Sequence, residues 1–414
     1  MAELTVIIDH VGALGDGVAE GPNGRLHVPF TAPGDHVRVM PVAKGKAQLL
    51  ELLEPGPNRV TPPCRHFGRC GGCALQHLDT DFIADWKRQR IVEALSRAGL
   101  DDVYVDAAIA IPPGTRRRAT LAATRPGKRV LLGFAERGSR RLVDLTECAV
   151  MRPELVALIG PLRAQLSILL NAGESADFAL TWTDTGIDCI MIRERPLTLA
   201  DREALASFGE AADLARIAWR ATPMKPAEPV AVRRAPAVRM ADRAVPLSAG
   251  TFLQPSAEGQ DALVAQVLGA LKGVSGAVAD LFSGLGTFAL PVSAIAPVTA
   301  YDTDVPGIAA LNAAARGLRV KAVARDLFRE PMTARELVDF SAVILDPPRA
   351  GAEAQARMLA DSGVETIVYV SCNPVSFARD AAILEAGDYE LEQVTPVDQF
   401  QWSPHTELVG VFRR

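Results

Sequence analysis

Cys372 closes an apolar run at residues 368–371 and is followed at once by Asn373-Pro374. A β run of Val, Tyr and Val stopped by this turn puts one thiol at the carboxyl edge of a sheet, where α/β enzymes keep their chemistry. Cys372 is therefore the candidate nucleophile. Further on, Pro404-His405-Thr406-Glu407 sets a carboxylate at the head of an apolar closing strand, 408–412. A thiol that adds to an electrophile needs a partner to move protons, so Cys372 and Glu407 are expected to share one site. The plain alternative is a buried structural thiol and a solvated Glu, since free Cys is among the most buried residue types.

The densest chemical signal lies in Cys64, Cys70, Gly71, Gly72 and Cys73, three thiols with two glycines between the last pair. Glycines let the backbone wrap a metal centre closely. Cys148 is the obvious fourth ligand. Thiolates with no His among them suit either an iron–sulfur cluster or zinc. Structural zinc more often uses two Cys-x-x-Cys knuckles, so one knuckle with an offset Cys64 and a remote Cys148 favours a 4Fe-4S cluster. Cys189, inside an apolar strand, reads as packing.

These sites need a large scaffold. The chain has 414 residues, 49% apolar and 22% charged, a globular mixture sized for two or three domains. Six Cys are too few for a secreted disulfide framework. No basic region leads into an apolar block at the start, and no long uncharged apolar run follows. A cytoplasmic protein with no membrane segment, acting as a monomer, is expected. The net charge of −5 argues mildly against a protein coated in nucleic acid, yet residues 116–141 hold nine Lys or Arg against one acid, Glu136. A hairpin carrying these arginines could hold phosphates; a solvated charged sheet face is the rival.

In chain order, residues 1–55 read as short strands at 4–8, 25–30, 36–42 and 47–53, a barrel of the oligonucleotide-binding type. Residues 56–245 read as an α+β domain holding the thiols, with a helix at 79–98 that could pack on the catalytic domain. The Pro- and Arg-rich stretch 222–246 reads as the boundary to the last domain, 246–414.

That last part alternates as an open α/β sheet. Strand 278–282 leads into Ser283-Gly284-Leu285-Gly286-Thr287, and Asp302, Asp326 and Asp346 follow successive strand ends. Three carboxylates and a glycine loop make a crevice at the carboxyl edge. The spacing is a weak dinucleotide fingerprint. An S-adenosylmethionine site fits better, with Asp302 accepting both ribose hydroxyls.

Together these residues resemble the RNA (uracil-5-)-methyltransferase family, most closely its iron–sulfur-containing 23S ribosomal RNA branch. The resemblance spans nearly the whole chain: Val28-Pro29 and Pro33-Gly34-Asp35 for an N-terminal TRAM module, the four Cys for the cluster, and Phe252-Leu253-Gln254-Pro255 for an F-x-Q segment. It continues through Asp280 to Phe288 for the first cofactor motif, Asp346-Pro347-Pro348-Arg349, Ser371-Cys372-Asn373-Pro374, and His405-Thr406-Glu407. It implies a Rossmann-like methyltransferase domain preceded by TRAM and iron–sulfur parts, with RNA as partner. It also implies Cys372 as nucleophile and Glu407 as base. Cofactor contacts fall to Gln254, Phe282, Gly284, Gly286, Thr287, Asp302, Asp326 and Asp346, and cluster ligation to Cys64, Cys70, Cys73 and Cys148. Ser283 and Thr287 depart from the family's usual Cys and Asn, and the family's ribose acid is often Glu where this chain has Asp302. A transfer RNA 5-methyluridine enzyme is the alternative within the family, and a non-catalytic RNA-binding protein the alternative outside it.

Overall fold

The computed structural model describes residues 2–414. At the amino end, β1 (Leu4–Ile7), β2 (His10–Val11), β3 (Gly17–Gly21), β4 (Gly24–Val28), β5 (His36–Ala43) and β6 (Lys46–Glu54) form one six-stranded sheet, ordered β1-β5-β6-β4-β3-β2. Alternation puts Val6, Val28, Val37 and Val39 into its small core. β2 and β3 lie outside the four strands read from the sequence, because strands this short carry little β signal.

Helix α1 (Thr80–Arg97) starts where the side chain of Asp79 accepts the N–H groups of Asp81 and Phe82. Strand β7 (Ile109–Ala110) follows. The central sheet has seven strands in the order β10-β9-β8-β11-β12-β13-β14. They are β8 (Arg118–Thr124), β9 (Leu131–Ala135), β10 (Leu142–Asp144), β11 (Ser175–Thr183), β12 (Gly186–Ile192), β13 (Arg216–Arg220) and β14 (Glu228–Val232). Helices α2 (Pro153–Ala157), α3 (Ile159–Leu169) and α4 (Leu199–Ala211) accompany it. Cys189 is buried in this core, as packing requires. The stretch 222–246 is well structured: after β14, β15 (Ala237–Met240) and β16 (Arg243–Pro246) pair as a hairpin. Its Val238, Met240 and Val245 are buried in the core of the next sheet.

That sheet has eight strands, ordered β19-β18-β17-β20-β21-β23-β22-β7. In chain order come α5 (Ala257–Ala270), β17 (Ala277–Leu281), α6 (Ala289–Val292), β18 (Val298–Asp302), α7 (Val305–Ala314), β19 (Val320–Ala324), α8 (Ala334–Leu337) and β20 (Phe340–Leu345). They continue with α9 (Glu353–Ala360), β21 (Thr366–Ser371), α10 (Pro374–Glu385), β22 (Glu390–Asp398) and β23 (Glu407–Arg413). β17 to β21 are parallel neighbours, and β23 enters antiparallel between β21 and β22. Apolar layers cover both faces. Among the described residues, no helix is long and apolar enough to cross a membrane.

Two early elements belong to this sheet. β7 pairs with β22 at its edge, and α1 buries Ile91, Ala94 and Leu95 against the same face as α9 and α10. Lys87 of α1, fully buried, reaches Asp398 at 2.5 Å and the Phe400 carbonyl at 3.1 Å. Lys87→Ala strands the Asp398 carboxylate and is expected to cost about 3 to 5 kcal/mol. A lowered midpoint of urea unfolding measures it; an unchanged midpoint contradicts this role.

Candidate functional site

Every residue of β21 is buried, and the strand delivers Cys372 half-buried at its carboxyl end. Asn373 then caps α10, accepting the Val375 N–H at 3.1 Å, with Pro374 in the first turn. The same Asn373 donates to the Arg349 carbonyl at 2.9 Å, and Ser376 does so at 3.1 Å. The thiol turn and the Asp346-Pro347-Pro348-Arg349 loop are thus one body. Beneath them, Asp380, fully buried, accepts from the Ala352 N–H and the Tyr369 hydroxyl, both at 2.7 Å.

Burial pushes the Cys372 thiol up to about 11, helped by Glu407 and Asp346 and opposed by Arg349. Nucleophile and carboxylates share one edge of the sheet, at the ends of the adjacent strands β20, β21 and β23. Glu407, the first residue of β23, is buried, and that burial raises it to about 7, with Gln399 working the other way. Its Oε2 has no hydrogen-bond partner. Asp346 is raised well above the carboxylate range by burial first, then by Glu407, Asp280 and Asp302. Several acids in a dry space cannot all ionise, so some stay protonated near neutrality and can donate hydrogen bonds.

Gln254 bridges this group, donating to Asp346 at 3.3 Å and accepting from Gln399 at 3.1 Å. Arginines hold it there. Arg117 donates through Nε to the Gln254 carbonyl at 2.9 Å and through its backbone N–H to the Pro255 carbonyl at 2.8 Å, while Arg118 reaches the Leu253 carbonyl at 2.7 Å. This corrects the expectation of a phosphate-holding hairpin for these two side chains: Arg117 is buried, giving its donors to the Gln254 carbonyl and the Gln260 side chain, and Arg118 donates to the Leu253 carbonyl. Phe252, by contrast, is 64% exposed, with the Arg118 guanidinium 5.2 Å from its ring centre.

Next to the acids lies the glycine turn. Phe282, Gly284 and Gly286 all take positive φ, at 65°, 54° and 87°. A Cβ on Gly286 would meet Leu311 at 2.4 Å, whereas a Cβ on Gly284 would meet nothing within 4 Å. Gly286 is required by packing, and Gly284 leaves its backbone open to a ligand. Asp302 accepts the N–H of Gly284 and of Asp304, each at 2.8 Å, which leaves one lone pair on each oxygen for hydroxyls. Asp326 accepts the Phe328 N–H at 3.1 Å, and the Phe328 ring lies 5.3 Å from that of Phe282. Thr287 follows the turn, half-buried. The Ser283 hydroxyl and Asp280 Oδ1 are buried without hydrogen-bond partners. An open backbone cradle, a diol-sized acceptor and orphaned polar atoms fit S-adenosylmethionine.

Three of the four thiols lie within residues 64–73, and Cys148 comes from a later segment. The segment after Cys64 docks on the segment before Cys148, where the Arg65 N–H donates to Glu147 at 3.0 Å and His66 bonds Thr146 at 3.2 Å. Burial first, and then the nearness of Cys148, Cys70 and Cys64, pushes the Cys73 thiol up to about 12. The Gly72 N–H donates to the Cys70 sulfur at 3.5 Å. All four are free thiols. Among the described residues, no three or more His, Cys, Asp or Glu close into a shell for a single metal ion. A four-iron cluster binds each thiolate to a different iron and spreads its ligands wider than one ion does.

Four cations act on His405. His405 is lowered by burial first and then by Arg349, Arg90, Lys87 and Arg116. Composition showed none of this convergence, since the four cations come from three separate segments. Asp280, Gln399 and Arg349 were likewise missed as site residues. Asp280 and Arg349 stand inside motifs that could have flagged them; Gln399 has no such signal.

Comparison with known proteins agrees with this geometry. The family model described as tRNA (Uracil-5-)-methyltransferase matches residues 320–414. An uncharacterized RNA methyltransferase of Brucella suis biovar 1 is 42% identical over 413 residues, spanning 99% of this chain and 97% of that protein. The 23S rRNA (uracil(1939)-C(5))-methyltransferase RlmD of Chromohalobacter salexigens is 35% identical over 439 residues, spanning 98% and 88%. The crystal structure of Pyrococcus abyssi tRNA (uracil-54, C5)-methyltransferase with S-adenosyl-L-homocysteine shares the fold. Its TM-score is 0.77 and its identity 24%, over 99% of this chain and 100% of that one. Identity of this extent across the whole length makes the chain a member of the RNA (uracil-5-)-methyltransferase family, an S-adenosylmethionine-dependent enzyme acting on RNA.

Proposed function

We propose that the enzyme methylates carbon 5 of a specific uridine in 23S ribosomal RNA through a covalent Cys372 adduct, with Glu407 as the base. The observation that carries this is the placement of Cys372, Glu407 and Asp346 at the ends of three adjacent strands at one sheet edge, where β21 pairs with β20 and with β23 and sets Ser371 opposite Leu408. Carbon 5 of uracil is too weak a nucleophile to attack a methyl sulfonium unaided. Cys372 releases its thiol proton to water and, as thiolate, forms a bond from Sγ to carbon 6, and the C5–C6 π pair moves to carbon 5 and the adjoining carbonyl as an enolate. S-adenosylmethionine supplies the electrophilic methyl, which carbon 5 takes with release of S-adenosylhomocysteine. Glu407 removes the carbon 5 proton, that electron pair re-forms the double bond, and the bond from carbon 6 to Sγ breaks to return the thiolate. Asp346, raised by burial first and then by its acidic neighbours, and Gln254 frame the uracil edge and stabilise the enolate oxygen. A base inside folded RNA must be extruded first, and the exposed Phe252 offers it a stacking face.

Gly284, Gly286 and Thr287 hold the amino-acid end of the methyl donor, Asp302 its ribose, and Phe282 and Asp326 its adenine side. Asp302→Ala is expected to raise KM for S-adenosylmethionine by about 10- to 100-fold with little change in kcat, the scale of a lost charged hydrogen bond. An unchanged KM removes Asp302 from the site.

The four thiols hold a 4Fe-4S cluster that staples residues 64–73 to Cys148; with every iron bound by a protein thiolate, its role is structural. Residues 1–55 serve as a TRAM module and 56–245 as a cluster-bearing RNA-binding part, ahead of the methyltransferase domain. The 35% identity to a ribosomal RNA enzyme favours ribosomal RNA. Incubation of anaerobically purified protein with undermodified ribosomal or transfer RNA and labelled S-adenosylmethionine, followed by nucleoside analysis, decides. Label in 5-methyluridine of ribosomal RNA is expected; label in transfer RNA alone overturns the substrate.

A further inference from the structure

The loop between β22 and β23 leads into Glu407, and other parts of the chain hold it in place. The Trp402 carbonyl accepts the N–H of Ala74 at 2.8 Å and of Leu75 at 3.1 Å, the two residues that follow Cys73. Trp402 is buried at φ 57°, a conformation that is costly for a bulky residue and persists only where its surroundings impose it. Those surroundings are Val11, Leu75, Leu78 and Ile83, with Cys73 at their margin. On the loop's other flank, Lys87 donates to the Phe400 carbonyl at 3.1 Å and Arg90 donates to the Pro404 carbonyl.

Cys73 itself is tied to the rest of the thiol group. Gln76 touches its sulfur and also accepts the Cys64 N–H at 3.2 Å. Gly71 is anchored on the Ala135 carbonyl at 2.9 Å, so the turn between the paired thiols cannot shift alone. Strand pairing to Val397 fixes the Glu407 backbone, but Gln399, whose side chain acts on its carboxyl, belongs to the loop. Cys372 is supported differently. Its turn is bound to the Arg349 carbonyl, and among the described residues no hydrogen bond joins it to the thiol segment.

With Glu407 as the base proposed above, we infer that the Cys73 segment positions it through Trp402. The four-thiol site then governs proton removal and product release, and leaves thiol addition and methyl transfer alone. Trp402 is a positioning residue, since it acts through the loop. Atoms balance as in the cycle above: when Glu407 fails to take the carbon 5 proton, the bond from carbon 6 to Sγ stays intact. The enzyme then halts as a methylated, covalent protein–RNA adduct.

The test compares Trp402→Ala and Trp402→Phe in the iron-loaded enzyme. Each is mixed with transcribed ribosomal RNA and methyl-labelled S-adenosylmethionine, and adduct that survives denaturing gels is counted against released product. Trp402→Ala is expected to form labelled adduct at close to the normal rate and to release it about 10- to 100-fold more slowly, the scale for a catalytic group displaced by about an ångström. Trp402→Phe restores release. Unsubstituted protein stripped of iron without oxygen is expected to accumulate the same adduct, and it decides alone should Trp402→Ala fail to bind S-adenosylhomocysteine. Adduct formation and release at their normal ratio, or both falling together, overturns the inference. Glu407→Gln is the control: if it too forms no labelled adduct, the assignment of Glu407 as base fails, whatever Trp402 does.

Discussion

Replacing Cys372 with Ala is expected to abolish methyl transfer, lowering kcat/KM by on the order of 10⁴-fold or more, because no other group can saturate carbon 6 and make carbon 5 nucleophilic. Binding of S-adenosylhomocysteine should persist, since the Gly284 turn and Asp302 stand on other strand ends. Labelled product from Cys372→Ala at a normal rate would end the covalent route. The thiol also predicts a pH dependence. Held up at about 11 by burial and by Glu407 and Asp346, it is protonated at neutral pH in the free enzyme. Alkylation of Cys372 by iodoacetamide should therefore climb until about pH 11. Removing either acid should bring that limb to lower pH, and removing Arg349 should move it higher.

Glu407→Gln has the second large effect, and of a different kind. The thiol still adds and the methyl still transfers, so labelled adduct accumulates while release falls by roughly 10² to 10⁴-fold, the usual worth of a general base. Because the base must be ionised to act, release in the unsubstituted enzyme should rise with pH through about 7 and then level. Loss of this limb in the variant is the check. The same carboxyl makes a stability prediction. Its folded value of about 7 lies above the ordinary 4.5, so the folded state binds the proton more tightly than the unfolded chain. The stability it lends is full below pH 4.5 and is lost as pH rises through 7, a difference of about 3 kcal/mol. Glu407→Gln should thus unfold at higher temperature than the unsubstituted enzyme at pH 8, with little gain at pH 4. A residue that destabilises the fold where it is active is consistent with a site kept for chemistry.

What could be read from the sequence was local. The helix at 79–98, the glycine turn and the Asp after each strand end all follow from short runs whose signals lie within a few residues. Cys372 at the end of β21 and Glu407 at the head of β23 were legible for the same reason. Residues that owe their place to pairing across hundreds of positions were not. Arg117 and Arg118 look like a charged surface until Gln254 arrives to occupy them. The strand Ile109–Ala110 is too short to announce itself and exists because β22 offers an edge. The hairpin of β15 and β16, written in Pro and Arg, looked like a connection because its apolar side chains are few and find their core in a later sheet. Nothing in Trp402 signals a left-handed backbone, which its packing imposes.

The burial of α1 against α9 and α10 sets a timetable for how the molecule is made. Lys87 and Asp398 are separated by 311 positions. At a ribosome's pace of about 5 to 20 residues per second, the helix is complete for roughly 15 to 60 seconds before its partner is synthesised. Through that interval Ile91 and Leu95 have no sheet to cover them, while the amino-terminal sheet already holds all of its strands. The nascent chain is thus exposed to proteases and to its neighbours on the polysome at one identifiable helix until the carboxyl-terminal strands emerge.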